Sequence, residues 1–376
     1  MKVLYIGVYR DGTGYGQAAE DNILALDSIG IDVVCRPLKL NSVEHKPHSR
    51  VLELEGKSSR DCNIVIQHVL PIHMEYNGNF EFNIGLFDYE TTNFIMSGWQ
   101  NYLNMMDFNI VINDQMIQSC INSGIKTPLY KVPHARNFSM YTEKYEKLDA
   151  ITSQISEDNF IFYTIGESTK RKNMSALLKA YFTEFNYSES VYLLVKTNKT
   201  NDDFHEYCSK IIDGLQVKNP PKVVCITDRL SNNAMNKLHI SCDAFVQPSY
   251  GEAWSIPAFD AMAFGKTPIV TNCTGYKEYI DESVGWLVDC VEEPIFGADR
   301  DTDNIYTGYE NWYSANINDL KKKMRECYEQ EGLRRSKASN ALDRAFEFSH
   351  EKIGSIFLKV LKNATQKKKT ELAGRS

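Results

Sequence analysis

Hydrophobic positions along this chain fall into short, nearly continuous runs rather than alternating ones. The first set is KVLYIGV (2–8), IDVVCR (31–36), NIVIQH (63–68), FNIGLF (82–87), NIVIND (109–114) and LYKV (129–132). After about residue 150 the pattern begins again with FIFYTIG (160–166), VYLLVK (191–196), KVVCIT (222–227), AFVQP (244–248), TPIVT (267–271) and GWLV (285–288). Continuous apolar runs of this length predict strands buried on both faces of a parallel sheet. Helical spacing separates many of them. The clearest case is QAAEDNILALDSIG, where Ala19, Ile23, Leu26 and Ile29 share one face and Gly30 ends the pattern. Strand and helix alternating in two sets predict two Rossmann-like α/β domains. The expected division is 1–145, 146–349 and a C-terminal segment 350–376 with an amphipathic helix and a basic end, crossing back to the N-terminal domain. The apolar-poor stretch 134–158 reads as the linker. Ligands of such sheets bind beyond the carboxyl ends of the strands, so a cleft between two such domains is where chemistry is expected.

Bulk properties narrow the class. The 376 residues favour two domains over one. A formal net charge of −7 argues against a surface given over to nucleic acid or anionic membrane. The N-terminal apolar run is too short for a signal peptide, and no stretch reaches the roughly 20 apolar residues of a membrane span. The nine cysteines are scattered and form no C-x-x-C pair, which suits free thiols in a reducing cytoplasm better than disulfides or zinc. A cytoplasmic location is therefore expected.

Residues 251–260, GEAWSIPAFD, place Glu252 and Asp260 on either side of Pro257. AFVQP is a strand and PSYGE the loop leaving it. Pro257 suits the first helical position, because its missing N–H is not needed there. The helix PAFDAMAF then stops at Gly265, which puts Asp260 in the first turn and both acids at one helix end. Free N–H groups at that end favour an anion, phosphate above all.

The surrounding string adds Pro248, Ser249, Ala261, Met262, Ala263, Gly265, Gly275 and Glu278. It resembles the signature of the family-4 (group 1) glycosyltransferases, and the matches run from residue 1 to about 290, most strongly from 222. The resemblance implies a GT-B fold: two Rossmann-like parallel-sheet domains facing a central cleft. It implies a retaining enzyme that moves a sugar from a nucleoside-diphosphate sugar to an acceptor hydroxyl. Glu252 would contact donor-sugar hydroxyls and Asp260 the ribose, with Gly251, Ala253, Trp254, Ser255 and Ile256 lining the donor. The usual residue at the second acid is Glu, so Asp260 shifts that contact by about one C–C bond, ~1.5 Å. Arg171 and Lys172, in the loop GESTKRKN after FIFYTIG, match a basic pair that holds the diphosphate. They stand opposite the acids in the expected sheet order. Glu167 occupies a place where many members carry Arg. Arg229 and Leu230 match a segment near the base.

In the N-terminal half, GVYRDGTGYGQ supplies a glycine-rich loop, and Gly14 and Gly16 are carried over as donor-lining positions. His68 ends a predicted strand and Glu90 follows another. The stretch containing Glu90 resembles a family segment beside the reacting sugar, while Pro133 and His134 match a Val-Pro-His run closing the domain. His68 and His134 are acceptor-side candidates. No metal or other cofactor is expected. Asp299, Asp301 and Asp303 in GADRDTDN mimic a metal-binding D-x-D but read as a solvated loop, and His45 with His48 gives only two ligands. The expected acceptor is a glycan, with a modified nucleobase of DNA as the alternative. Two rival classes remain: a nucleotide-dependent oxidoreductase using Gly12–Gly16, and a non-catalytic binder of sugar nucleotides.

Overall fold

The structure, a computed structural model, describes residues 1–40, 45–298 and 304–373, with side chains to 366. The Asp299–Asp303 alternation lies outside the described residues. Contacts divide the chain into two units: Met1–Met140 with Asp303–Ile305 and Phe346–Ser376, and Tyr141–Thr302 with Tyr306–Ala345.

The first unit holds six strands: β1 (Lys2–Gly7), β2 (Asp32–Pro37), β3 (Ile64–His68), β4 (Phe82–Leu86), β5 (Phe108–Val111) and β6 (Leu129–Lys131). All pair in parallel, in the order β2-β1-β3-β4-β5-β6. Every residue of β3, β4 and β5 is buried, which is why their sequence shows no alternation. The second unit repeats the plan with β7 (Phe160–Ile165), β8 (Val191–Lys196), β9 (Lys222–Ile226), β10 (Ala244–Gln247), β11 (Thr267–Thr271) and β12 (Trp286–Val288). Its order is β12-β11-β10-β7-β8-β9, again parallel throughout. A small antiparallel pair follows, β13 (Cys290–Pro294) with β14 (Asn311–Ala315). The run pattern did not announce this pair, because its strands are half-exposed and polar.

Strand order reverses once in each sheet. The reversal lies between β1 and β3 in the first unit and between β7 and β10 in the second. Where order reverses, the connecting helices leave on opposite faces and open a crevice at the strands' carboxyl ends. Each unit therefore offers one such crevice.

Two corrections to the sequence expectations concern helix starts. The first helix spans Gly14–Ser28, so Gly14 and Gly16 lie in its first turn rather than in a loop. Thr13 caps it by accepting from the Gly16 amide at 3.2 Å. A Cβ on Gly16 would sit 2.1 Å from the Asp11 carbonyl oxygen, so the chain's own packing demands that glycine. The second helix in question spans Ile256–Ala263. Ser255, at φ 70°, turns the chain one residue earlier than expected. Pro257 becomes the second helical residue and Asp260 moves beyond the first turn.

The C-terminal helix His350–Ala373 packs on the helix Gly14–Ser28 within the first unit. Its inner stripe is Ile353, Gly354, Phe357, Leu361 and Ala364, all buried. A Cβ at Gly354 would approach the Ala25 carbonyl oxygen to 2.2 Å. Helix propensity favours alanine by about 1 kcal/mol, but the steric cost there is larger. Gly354→Ala is accordingly predicted to destabilise the protein by about 2 kcal/mol in urea unfolding. An unchanged or raised midpoint would contradict this packing.

Candidate active site

The crevice of the second unit is built from two loops on adjacent strands. The turn Lys170–Lys172 follows β7, and Gly251–Ser255 follows β10. Sequence reasoning set the basic pair opposite the acids; the β7–β10 pairing makes them neighbours instead. Glu252 is 4% exposed and accepts from both cations, Arg171 Nη1 at 2.9 Å and Lys172 Nζ at 2.8 Å. Arg171 Nη1 also donates to the Gly251 carbonyl at 2.8 Å, and the Tyr250 amide donates to the Arg171 carbonyl at 2.9 Å. Asn173 makes the sharp exit from the turn. It takes the left-handed conformation, donates to the Pro248 carbonyl at 3.1 Å and caps the helix Met174–Glu184.

Burial alone would raise the Glu252 pKa; Arg171 and then Lys172 outweigh it and hold it at about 2. The carboxylate is thus ionised throughout the neutral range.

The loop itself is held rigidly. The Glu252 amide donates to Thr274 Oγ1 at 3.0 Å, and its carbonyl accepts from the Gly275 amide at 2.8 Å. A Cβ on Gly275 would lie 2.0 Å from the Ala253 carbonyl, which accounts for the glycine. Ser255 Oγ donates to Gln247 Oε1 at 2.7 Å, where the Tyr276 hydroxyl donates at 2.9 Å. That serine is then unable to cap the helix Ile256–Ala263, which starts without a side-chain cap. Trp254 is buried against Phe259 and Tyr279. Asp260 is buried, and Oδ1 accepts from the Tyr141 hydroxyl at 2.6 Å. Ile256 is half-buried at the helix start. Arg229 and Leu230 leave the end of β9, two strands from β7, exposed and half-buried respectively. Glu167 is exposed.

In the first unit the β1/β3 crevice gathers a different set. His68 and His134 are fully buried and meet at Asp88. His134 Nε2 lies 3.0 Å and 3.1 Å from its two carboxylate oxygens, and His68 Nε2 lies 3.7 Å from Oδ1. The Tyr5 hydroxyl bonds His68 Nδ1 at 2.8 Å, and the Tyr15 ring meets the His68 ring edge-on at 4.8 Å. Asn22 fixes the tautomer of His134. Its Oδ1 accepts from the Ala135 amide, so its Nδ2 faces His134 Nδ1 at 3.3 Å, leaving the proton on Nε2 to point at Asp88. Burial alone would raise the Asp88 pKa, but the two histidines hold it well below the usual carboxylate range. Burial pushes His68 down. Glu90 is half-buried two residues beyond Asp88. Sequence reasoning chose Glu90 and missed Asp88, although the end of the strand FNIGLF was a signal for it. The other pair considered, His45 and His48, is spent on Glu20 at 2.9 Å and on the Arg50 amide at 3.1 Å.

Residues 148–294 match the family "Glycosyl transferases group 1". An N-acetylgalactosaminyltransferase of Campylobacter jejuni, acting on N,N'-diacetylbacillosaminyl-diphospho-undecaprenol, is 31% identical over 121 residues. A putative glycosyltransferase of Acidianus filamentous virus 1 is 28% identical over 126 residues. These matches cover 32% and 30% of this chain and only 26% and 37% of the relatives' own lengths. The fold extends further. HepE of Anabaena, solved with UDP and glucose, superposes with a TM-score of 0.67 over 96% of this chain and 100% of its own, at 14% identity. Sucrose-phosphate synthase of Thermosynechococcus elongatus gives 0.66 over 96% and 98%, also at 14%.

The depressed pKa of Glu252 has a definite sign. Its ionised form stabilises the fold above the ordinary value of 4.5, and that stability is lost as pH falls toward 2. About 2 kcal/mol of it should disappear between pH 5 and pH 3. Urea unfolding of the wild type and Glu252→Gln at both pH values isolates this contribution: the variant should lack it, and equal slopes would contradict the ion pairing. This cluster at the strand reversal lies inside residues 148–294, the segment that matches the group 1 glycosyltransferases, on a chain with the GT-B fold of two Rossmann-like sheets.

Proposed function

We propose that this protein transfers a sugar from a nucleoside-diphosphate sugar to a hydroxyl of a glycan acceptor, with retention of anomeric configuration. The observation that carries the reading is the buried Glu252 held by Arg171 and Lys172 at the β7/β10 reversal, inside the segment that matches the group 1 family. Two similar proteins support the substrate class. One acts on a glycan-bearing diphospholipid, and HepE was solved with UDP and glucose.

Glycosyl transfer passes through an oxocarbenium-like transition state as the bond to the leaving diphosphate stretches. Negative charge then grows on the phosphate oxygens. Fixed cations aimed at that charge stabilise it without reorganising. Arg171 and Lys172 meet that requirement, because Glu252 and the Gly251 carbonyl already hold them in place. Glu252 orients sugar hydroxyls and stays ionised. Asp260, fixed by Tyr141, contacts the ribose. The leaving phosphate takes the acceptor proton. Gly251 and Ala253 to Ile256 line the donor, and Arg229 and Leu230 approach the base. Gly14 and Gly16 contribute the helix start they allow in the first unit. Acceptor contacts fall to Glu90, with His68 and His134 setting the Asp88 carboxylate.

No metal enters this scheme. A panel of uridine, guanosine, adenosine and thymidine diphosphosugars, tested by thermal shift with chelator present, should raise the melting temperature for one nucleotide. Lys172→Ala should then lower kcat roughly 30- to 1,000-fold, the two to four kcal/mol of a lost charge-stabilising donor, with the fold intact by circular dichroism. A response to a nicotinamide dinucleotide alone, or full activity in Lys172→Ala, would overturn the reading.

A further inference from the structure

A second crevice in the C-terminal unit lies behind the Lys170–Lys172 turn. It is a cavity of about 380 Å³, within the usual range for small-ligand sites. Its walls come from the turn itself, the first half of the helix Met174–Glu184, Lys199 ahead of the helix Asn201–Leu215 and Tyr207 within it, Tyr250, and the end of β14. The sheet order puts it on a different face from the helix Ile256–Ala263. The β7-to-β8 and β8-to-β9 crossovers run one way and lay their helices on one face, whereas β10-to-β11 runs the other way. The cavity is therefore separate from the pocket that Glu252 and Asp260 would line.

Its charge is one-sided. Lys170, Lys179 and Lys199 all line it, and no Asp or Glu does. Among the described residues none of the three ammonium groups has a carboxylate partner, although the chain as a whole carries a net charge of −7. Two of them are held against aromatic walls. Lys170 Nζ lies 5.9 Å from the centre of the Tyr250 ring, and Lys199 Nζ lies 5.7 Å from that of Tyr207. Tyr250 in turn stacks on Trp312 at 4.2 Å, so that wall is fixed. Ser168, Thr169 and Ser175 add hydroxyls to the lining.

Three uncompensated cations around one small cavity repel each other, and a multiply charged anion relieves that repulsion. The hydroxyls add hydrogen-bond donors, and the tyrosine faces suit a sugar or base ring. From this arrangement we infer a second binding site, for the phosphate monoester of a small molecule. The shared chemistry is a dianionic phosphate next to a ring, which a sugar phosphate or a mononucleotide could supply.

The site can be tested without reference to glycosyl transfer. Isothermal titration of the full chain with inorganic phosphate, glucose 6-phosphate and AMP should detect one equivalent bound by at least one organic ester, more tightly than phosphate. The ester that binds more tightly identifies the source. The double variant Lys179→Glu/Lys199→Glu should weaken that binding at least tenfold while its far-ultraviolet spectrum and melting temperature stay near the wild type. Lys199→Ala alone should weaken it several-fold, which guards against a folding defect in the double variant. Lys172→Ala, which removes a donor-side cation, should leave it unchanged. If no ester binds at millimolar concentration, or binding survives the double variant but fails in Lys172→Ala, the cavity is not such a site.

Discussion

The ion pairing of one buried carboxylate organises the second unit. Glu252 sits out of water where its charge would be costly alone, and the two cations offset that cost only because three separate segments converge. The Lys170–Lys172 turn must leave β7 sharply, which Asn173 permits by adopting the left-handed conformation. The Gly251–Ser255 loop must bend back, which Ser255 permits with its own positive φ. The loop at Thr274 and Gly275 must come close enough to hold the Glu252 backbone. Each of these strained or close-packed positions is explained by the arrangement it makes possible. Breaking one partner would leave the others as uncompensated charge.

The two units share a plan but use it differently. Both reverse strand order once, and in both the polar side chains gather at the reversal. In the second unit the result is a cation-rich cluster around an ionised acid. In the first it is a chain of histidine rings and hydroxyls tied to Asp88, with His134 held by Asn22. A positive cluster suits a phosphate leaving group; a hydrogen-bonded network with a fixed tautomer suits the orientation of a hydroxyl. The division of labour in the proposed reaction follows from that contrast.

Much of this was legible in the chain. Uninterrupted apolar runs betrayed strands buried on both faces, and their two sets betrayed two sheets. The spacing from Pro248 to Glu278 marked the loops that meet around Glu252. Sheet order was not legible, because a run of valines and isoleucines carries no record of its neighbours. That is why Arg171 and Lys172 were expected across the sheet from Glu252 rather than beside it. Helix starts were missed where the cause was a rare backbone conformation at a non-glycine residue, as at Ser255. Gly16 looked like a ligand-facing glycine, whereas the Asp11 carbonyl occupies the space next to it. Asp88 was passed over because its importance lies in partners 20 and 46 residues away along the chain, His68 and His134.

The most direct measurement is the phosphorus-31 resonance of a nucleoside diphosphate titrated into the protein, compared with the Arg171→Ala/Lys172→Ala double variant. On this account the β-phosphorus signal moves on binding to the wild type, and both the movement and most of the affinity vanish in the variant. A nucleotide that bound the variant with unchanged affinity and the same β-phosphorus shift would contradict the assignment of the diphosphate to this cluster.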